Sequence, residues 1–472
     1  MNRSTFGRSV VAALLLATAV DANAGFVFLK EKPSKKFKKW QDRPIPITEQ
    51  DFQQHSEAKV ELGKNLFYDK ILSGNKNNSC GTCHHSLTDT GDGLSLPLGE
   101  GGVGLGRSRT PGEGEMSVKA RVPRNAPPVF NLGAYEYDKM FHDGRVARDP
   151  SQPSGYTTPV GLDFPSGVES ALAAQSIFPM TSPVEMAGHA GENPVGDARA
   201  IGMDNIAAPG GVWDLLVGRL REIPEYVEQF QAVFDDVHSA EDITIVHVAN
   251  ALGAFEAIAW RADNTPFDRY LRGEKGAMSK DAIKGMKIFF KGDRKGQSCA
   301  QCHSGKFLTD HQFHAIGVPP VGPGPNFGES PSGHDDFGRE NATGLVSDRY
   351  KFKTPPLRNV ALTAPYGHNG AFRTLRAMVE HHINVPESLR NYDRSQAVLP
   401  SRPDLDALDF IALDDVNTMM AIEEANELKP FALSNRQVDH LMAFLNALTD
   451  PDSLNLMHSL PETVPSGLVV AD

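Results

Sequence analysis

Cys80-Gly81-Thr82-Cys83-His84 and Cys299-Ala300-Gln301-Cys302-His303 are one pentad written twice, and together they use all four cysteines of the 472-residue chain. C-x-x-C-H is the attachment signature of a c-type haem. Two thiols at this spacing form thioethers to one porphyrin, and the adjacent imidazole lies under the iron as proximal ligand. Disulfides, or a zinc site that leaves the histidines idle, are the other uses of such cysteines. A histidine directly after the second cysteine in both copies, with no cysteine left over, favours haem. The reading is therefore two covalent haems, held by Cys80, Cys83, Cys299 and Cys302, with His84 and His303 as axial ligands.

Outward from the pentads, the duplication widens. Val60, Leu62, Leu66 and Phe67 share one helical stripe that runs through Gly63-Lys64-Asn65-Leu66-Phe67-Tyr68 toward the first motif. Ser279 caps a second helix that runs through Gly285-Met286-Lys287-Ile288-Phe289-Phe290 toward the other. Helix, polar turn and C-x-x-C-H recur, which predicts a mainly α protein of two cytochrome c-like domains, one haem each, with long irregular loops. The chain exceeds a single core. The expected divisions are a signal peptide at 1–24, an N-terminal arm at 25–45, a first haem domain at 46–262, a second at 263–450 and a tail at 451–472. A glycine-rich run from Asp89 to Pro123 lacks periodicity and reads as a functional or mobile loop.

Arg3 and Arg8, the apolar run Val10 to Val20, and Ala22-Asn23-Ala24 before Gly25 have the layout of a secretory signal. No other stretch approaches a membrane span. Haem attachment to an exported chain points to a bacterial periplasm. The formal charge of −12, with no clustered cations, does not suit nucleic acid. An acidic surface suits a complementary redox partner.

A haem with only its proximal histidine keeps one open axial position, and what fills it decides between electron transfer and reaction with peroxide. For the second haem, Met378 and His382 lie four apart in Thr374-Leu375-Arg376-Ala377-Met378-Val379-Glu380-His381-His382 and share a helix face, so either could meet iron.

Further stretches extend the pattern: Arg124-Asn125-Ala126-Pro127, Phe141-His142-Asp143-Gly144-Arg145, Ser182-Pro183-Val184-Glu185-Met186, Phe313-His314-Ala315-Ile316-Gly317-Val318, and Thr354-Pro355-Pro356-Leu357-Arg358-Asn359-Val360-Ala361-Leu362-Thr363-Ala364-Pro365-Tyr366. In these and the two pentads the chain resembles the bacterial dihaem cytochrome c peroxidases and their MauG-type relatives. The resemblance implies a peroxidatic N-terminal haem, an electron-receiving C-terminal haem, a small cytochrome c or copper protein as donor, hydrogen peroxide as substrate and a homodimer. It implies Glu185 as acid/base, Gln175 as its distal companion, and a calcium ion held by the Asn125 side chain and the backbone oxygens of Thr363 and Pro365. His382 matches the second ligand of the electron-receiving haem by spacing, where the family has Met or Tyr. His142 stands where the family commonly has an inter-haem tryptophan. No histidine lies between His85 and His142, and Met116 and Lys119 are the only loop side chains that could cap the first iron, which is expected open. The rival expectations are a MauG-type oxidase acting on tryptophan of a partner protein and a dihaem electron carrier without catalysis.

Overall fold

The computed structural model describes residues 44–292, 297–325 and 333–470. The expected signal peptide, and the N-terminal arm except its last two residues, lie outside them. The described chain is mainly helical, and its strands are only two or three residues long.

Two crossed helix pairs organise it. The Ser56 side chain accepts the N–H of Lys59 and so opens the helix Glu57–Tyr68, satisfying one donor that would otherwise lack a partner. That helix buries Leu62, Leu66, Phe67 and Tyr68 and crosses the nearly all-apolar helix Ile245–Ala259. The crossing point is Gly63, where a β-carbon would stand 1.9 Å from the Ala251 carbonyl and 2.8 Å from Cβ of Phe255. The second pair repeats the device. Ser279 caps the helix Lys280–Lys291, which crosses Asn435–Asn446 at Gly285. A β-carbon there would stand 1.8 Å from the His440 carbonyl and 2.8 Å from Cβ of Phe444. Gly63 and Gly285 hold the same place in the two repeated segments, so backbone contact between helices explains why that place is a glycine.

Each first helix delivers the chain to a pentad. Cys80–Cys83 forms a helical turn and Cys299–Gln301 a tighter one. In both, the histidine N–H closes on the first cysteine, at 3.0 Å for His84 to Cys80 and 2.9 Å for His303 to Cys299.

Between the pairs lie short strands. Lys139–Met140, Val146–Arg148 and Tyr156–Thr157 form an antiparallel sheet with Lys139 opposite Ala147 and Ala147 opposite Thr157. Phe313–His314 pairs with Phe352–Lys353. The turn at 141–145 reaches this second ribbon, since the Lys353 N–H donates to the His142 carbonyl at 2.7 Å.

Two irregular regions are well packed. The glycine-rich run buries Leu94, Leu96 and Leu98 and the side chain of Arg109, which donates to the carbonyls of Leu98, Gly99 and Gly104. The segment expected as a tail folds back as far as it is described. Leu456 and Val464 join the core of the N-terminal half, and Ser459 bonds Ser86 at 2.6 Å.

Candidate functional site

The three candidate axial histidines share one arrangement. His84 Nδ1 lies 3.1 Å from the Thr90 carbonyl, His303 Nδ1 3.1 Å from that of Leu308, and His382 Nδ1 2.8 Å from that of Met378. Only an N–H can bond a carbonyl, so each ring keeps the lone pair of Nε2 for a metal. Burial lowers the basicity of all three rings, and for His303 burial and the neighbouring His382 take it down to about 4. All three rings are thereby neutral at physiological pH.

The rings of His303 and His382 are 6.5 Å apart between centroids. Two imidazoles binding one metal through nitrogens at about 2 Å each have ring centres roughly 6 Å apart, so this pair fits the two faces of one haem. The neighbouring His381 is used otherwise: fully buried, it contacts Ser388 Oγ at 3.0 Å and the Ile316 carbonyl at 2.7 Å.

None of the four cysteines is in a disulfide. Burial pushes the Cys80 thiol up to about 12, and Cys299 and Cys302 to about 11. Two unpaired thiols beside a histidine at each pentad are what two thioether links to one porphyrin require. The residues present fit two c-type haems.

Glu185 lies in the wide, π-type helical turn Pro183–Ala187, whose backbone is gripped from both sides. Asn78 Nδ2 donates to the Glu185 carbonyl at 2.5 Å, and the Glu100 N–H to that of Val184 at 3.0 Å. Gly99 belongs to the glycine-rich run, and a β-carbon on it would sit 2.2 Å from the Val184 oxygen. That run is therefore the wall against which Glu185 is set. Burial raises the affinity of the Glu185 carboxyl for its proton, against the pull of Arg145, the Ser182 hydroxyl and Arg124. Its field reaches the Cys80 sulfur. Gln175 ends the helix Ala171–Ser176, half buried, one short turn upstream. Met116 is 47% exposed, and exposed Lys119 bonds the Glu115 carbonyl, so neither loop side chain turns inward.

Asn125 donates its amide to the Leu94 and Ser95 carbonyls at 2.8 and 3.4 Å, which leaves its Oδ1 as an acceptor. Gly370 packs against both Ser95 and Pro365, and the Asn125 N–H donates to the His368 carbonyl at 2.8 Å, so the segment around Pro365 runs beside Asn125. An amide oxygen with backbone carbonyls is a hard-oxygen set of the kind calcium takes. His142 lies beside them, its Nε2 3.2 Å from the Asn125 carbonyl, and burial with the Arg124 charge lowers it to about 4. His368 stacks on Phe352 at 3.5 Å and 7°. Trp213 and Trp260 are core residues, bonded to the Ile177 carbonyl and to Ser459.

The model of the di-haem cytochrome c peroxidase family matches residues 57–276. The cytochrome c551 peroxidase of Pseudomonas aeruginosa is 32% identical over 339 residues, 71% of this chain and 75% of that protein. The chain belongs to the di-haem cytochrome c peroxidase family. As a di-haem peroxidase it is an oxidoreductase, of a family that implies two c-type haems, a peroxide substrate and a redox partner. The methylamine utilization protein MauG of Methylorubrum extorquens is 29% identical over 405 residues, 84% of this chain and 80% of that one. Solved structures share the fold. A MauG-like protein associated with microbial copper homeostasis (TM-score 0.52, 23% identical) covers 87% of this chain and 94% of its own. The dihaem peroxidase BthA from Burkholderia thailandensis (TM-score 0.54, 19% identical) covers 89% and 91%. Among the described residues no helix is long and apolar enough to cross a membrane.

Two features of this peroxidase site escape sequence reasoning. Glu256, on the helix Ile245–Ala259, is a second buried carboxyl whose field reaches Cys80, and burial pushes it up to about 8. Arg124, Asp143 and Arg145 stand inside the quoted motifs, yet the second acidic partner of Arg124, Asp336, lies 212 residues away. Nothing local announces that pairing.

Proposed function

We propose that this protein is a periplasmic dihaem cytochrome c peroxidase that reduces hydrogen peroxide to water. Electrons come from a small cytochrome c or copper protein, received at the C-terminal haem and used at the N-terminal one. The observation that carries the reading is the half-buried Glu185, whose turn is clamped between Gly99 and the side chain of Asn78, two residues before Cys80, while Met116 and Lys119 stay in solvent. A pure electron carrier needs both irons capped, and this arrangement argues against one.

The haem domains are taken as 46–262 and 263–450. Cys80, Cys83 and His84 would hold the first haem. Cys299, Cys302, His303 and His382 would hold the second. When bound, the haems supply the electron storage and the oxidising chemistry. The protein's own part is proton management and placement. Glu185, held by Asn78 and by the wall at Gly99, takes a proton from one peroxide oxygen and returns it to the other, and Gln175 orients the peroxide by hydrogen bonding. Asn125, Thr363 and Pro365 hold calcium, and His142 stands on the route between the halves. Export through residues 1–24 and a homodimeric state complete the proposal.

A second reading is a MauG-type oxidase that modifies tryptophan on a partner protein, favoured by the 84% of the chain that aligns with MauG. The test is electron paramagnetic resonance of the resting diferric protein, then peroxide with a reduced small cytochrome. One high-spin signal, one bis-His low-spin signal and immediate cytochrome oxidation support the peroxidase. Two low-spin signals without turnover overturn it.

A further inference from the structure

We infer that Glu100, Asn77 and Glu192 form a site for a hard divalent cation of the calcium type, separate from the oxygen set at Asn125. The site ties together three stretches: the approach to the first pentad, the glycine-rich run and the segment that follows Ala187. It stands whether or not Glu185 handles protons.

Each stretch brings oxygen to one cluster. Glu100 is 5% exposed, and its Oε1 accepts from Asn75 Nδ2 at 2.7 Å and from Asn77 Nδ2 at 2.6 Å. The same Asn75 nitrogen reaches Glu192 Oε2 at 3.2 Å, so a single amide group joins the two carboxylates. Glu192 Oε2 also takes the His189 N–H, at 2.9 Å. The surroundings are fixed. Asn193 Nδ2 donates to Asn75 Oδ1 at 2.9 Å and to the Ala187 carbonyl at 3.1 Å. Gly188 has φ +76, and a β-carbon on it would stand 3.0 Å from Glu192 Oε2 and 3.1 Å from Asn75 Nδ2. Bare backbone therefore lines that side of the cluster.

What the cluster lacks is positive charge in contact. Among the described residues neither Glu100 nor Glu192 has a salt-bridge partner. The Arg109 charge favours the Glu100 anion, but its guanidinium bonds the carbonyls of Leu98, Gly99 and Gly104, and the Glu192 charge acts against it. Glu100 Oε2 and Asn77 Oδ1 are buried and have no hydrogen-bond partner among the described residues. They belong to the two groups that the Asn77–Glu100 bond joins, so both open on the same cluster. Asn78, next in sequence and 1% exposed, likewise leaves its Oδ1 unpartnered. A buried carboxylate beside a second one is held by a cation or by a proton. A proton satisfies one oxygen. A hard cation satisfies Glu100 Oε2, Asn77 Oδ1 and Glu192 together, with water completing a shell of about six to eight oxygens.

The experiment is equilibrium dialysis of the chelator-stripped holoprotein against radioactive calcium. At concentrations that saturate wild type, Glu100→Gln and Glu192→Gln are each expected to bind one calcium fewer per chain, with both haem spectra intact. Asn77→Asp adds charge to the same shell and should tighten the site by about tenfold or more, since ligand charge tunes calcium affinity. Asn125→Ala is expected to remove a different calcium, so that combining it with Glu100→Gln loses one more than either change alone. Calcium counts in Glu100→Gln and Glu192→Gln equal to wild type overturn the proposal, and a Glu100 held only by a proton gives that result. Loss of all bound calcium in a folded Asn125→Ala protein overturns it too. An Asn125→Ala protein that keeps every calcium sinks the Asn125 reading alone. Glu192 is half-buried, so Glu192→Gln and the gain in Asn77→Asp decide the matter even if Glu100→Gln fails to fold.

Discussion

At the scale of single residues, the site is built by assigning each polar atom one task. His84, His303 and His382 each give Nδ1–H to a backbone carbonyl, which fixes the tautomer whose Nε2 lone pair is open to a metal. For His382 this has a direct consequence. His382→Ala should turn the second haem from six-coordinate low-spin to high-spin in electron paramagnetic resonance and leave the first signal unchanged. Persistence of the low-spin signal would remove His382 from the ligand set. For Glu185, burial raises proton affinity, so its base form is lost at a higher pH than for an ordinary glutamate. Glu185→Gln should cut peroxide turnover by roughly 10²- to 10⁴-fold, the usual worth of a positioned acid/base, with both haem spectra retained. His314 behaves in the opposite sense. Burial opposes its charge, but Asp310 and Glu427, each at 3.0 Å, outweigh that and raise it above an ordinary histidine. Its contribution to stability is present in full below the unfolded value of about 6.5 and is lost as pH rises through the folded value. Denaturant unfolding of wild type and His314→Gln should therefore differ at about pH 6 and converge by about pH 9.

At the scale of elements, the two helix crossings show what a sequence can and cannot disclose. Gly63 and Gly285 are visible as members of a repeat, because local pattern preserves register. Their reason is not visible, because each is forced by the backbone of a helix far along the chain, at Ala251 and His440. Adding one methyl there leaves nowhere for it to go without separating the helices. Gly63→Ala and Gly285→Ala should each destabilise by about 1–3 kcal/mol or more, the cost of overpacking a filled contact, read as a lower denaturant midpoint with unchanged slope. The pentads were legible for the same reason of locality: thioether chemistry acts over three residues, and helical spacing narrows the second ligand to Met378 or His382, the choice of His382 being what the family resemblance implies. The Arg124–Asp336 pair and the wall at Gly99 were not, since both join distant stretches through contacts that leave no period or motif. The glycine-rich run shows the limit from the other side. Without periodicity it reads as a functional or a mobile loop, and the structure favours the first: Arg109 ties its carbonyls together from inside and its leucines are buried.

At the scale of the whole molecule, the chain closes on itself. After the helix Asn435–Asn446, residues 451–470 leave the C-terminal half and return to the first. Leu456 and Val464 enter the N-terminal core, Ser466 Oγ donates to Asp69 at 2.7 Å, and Ser459 sits between Ser86 and the Trp260 indole N–H. Ser86 in turn bonds the Tyr68 hydroxyl at 2.7 Å. Tyr68 ends the helix that leads to the first pentad, and its ring fills the space over Gly81, where a β-carbon would lie 2.4 Å away. The last described segment thus braces the turn of the first pentad although it follows the half that carries the second pentad in sequence. Truncation after Asp450 removes two buried aliphatic side chains, at roughly 1.5–3 kcal/mol each, and exposes the hydroxyl chain to water. Thermal unfolding followed at each haem's spectrum should then show an earlier loss of the first signal, with the second melting close to its original temperature. Equal displacement of both transitions would mean that the two halves unfold as one cooperative unit, and that the brace serves the whole body and not the first haem in particular.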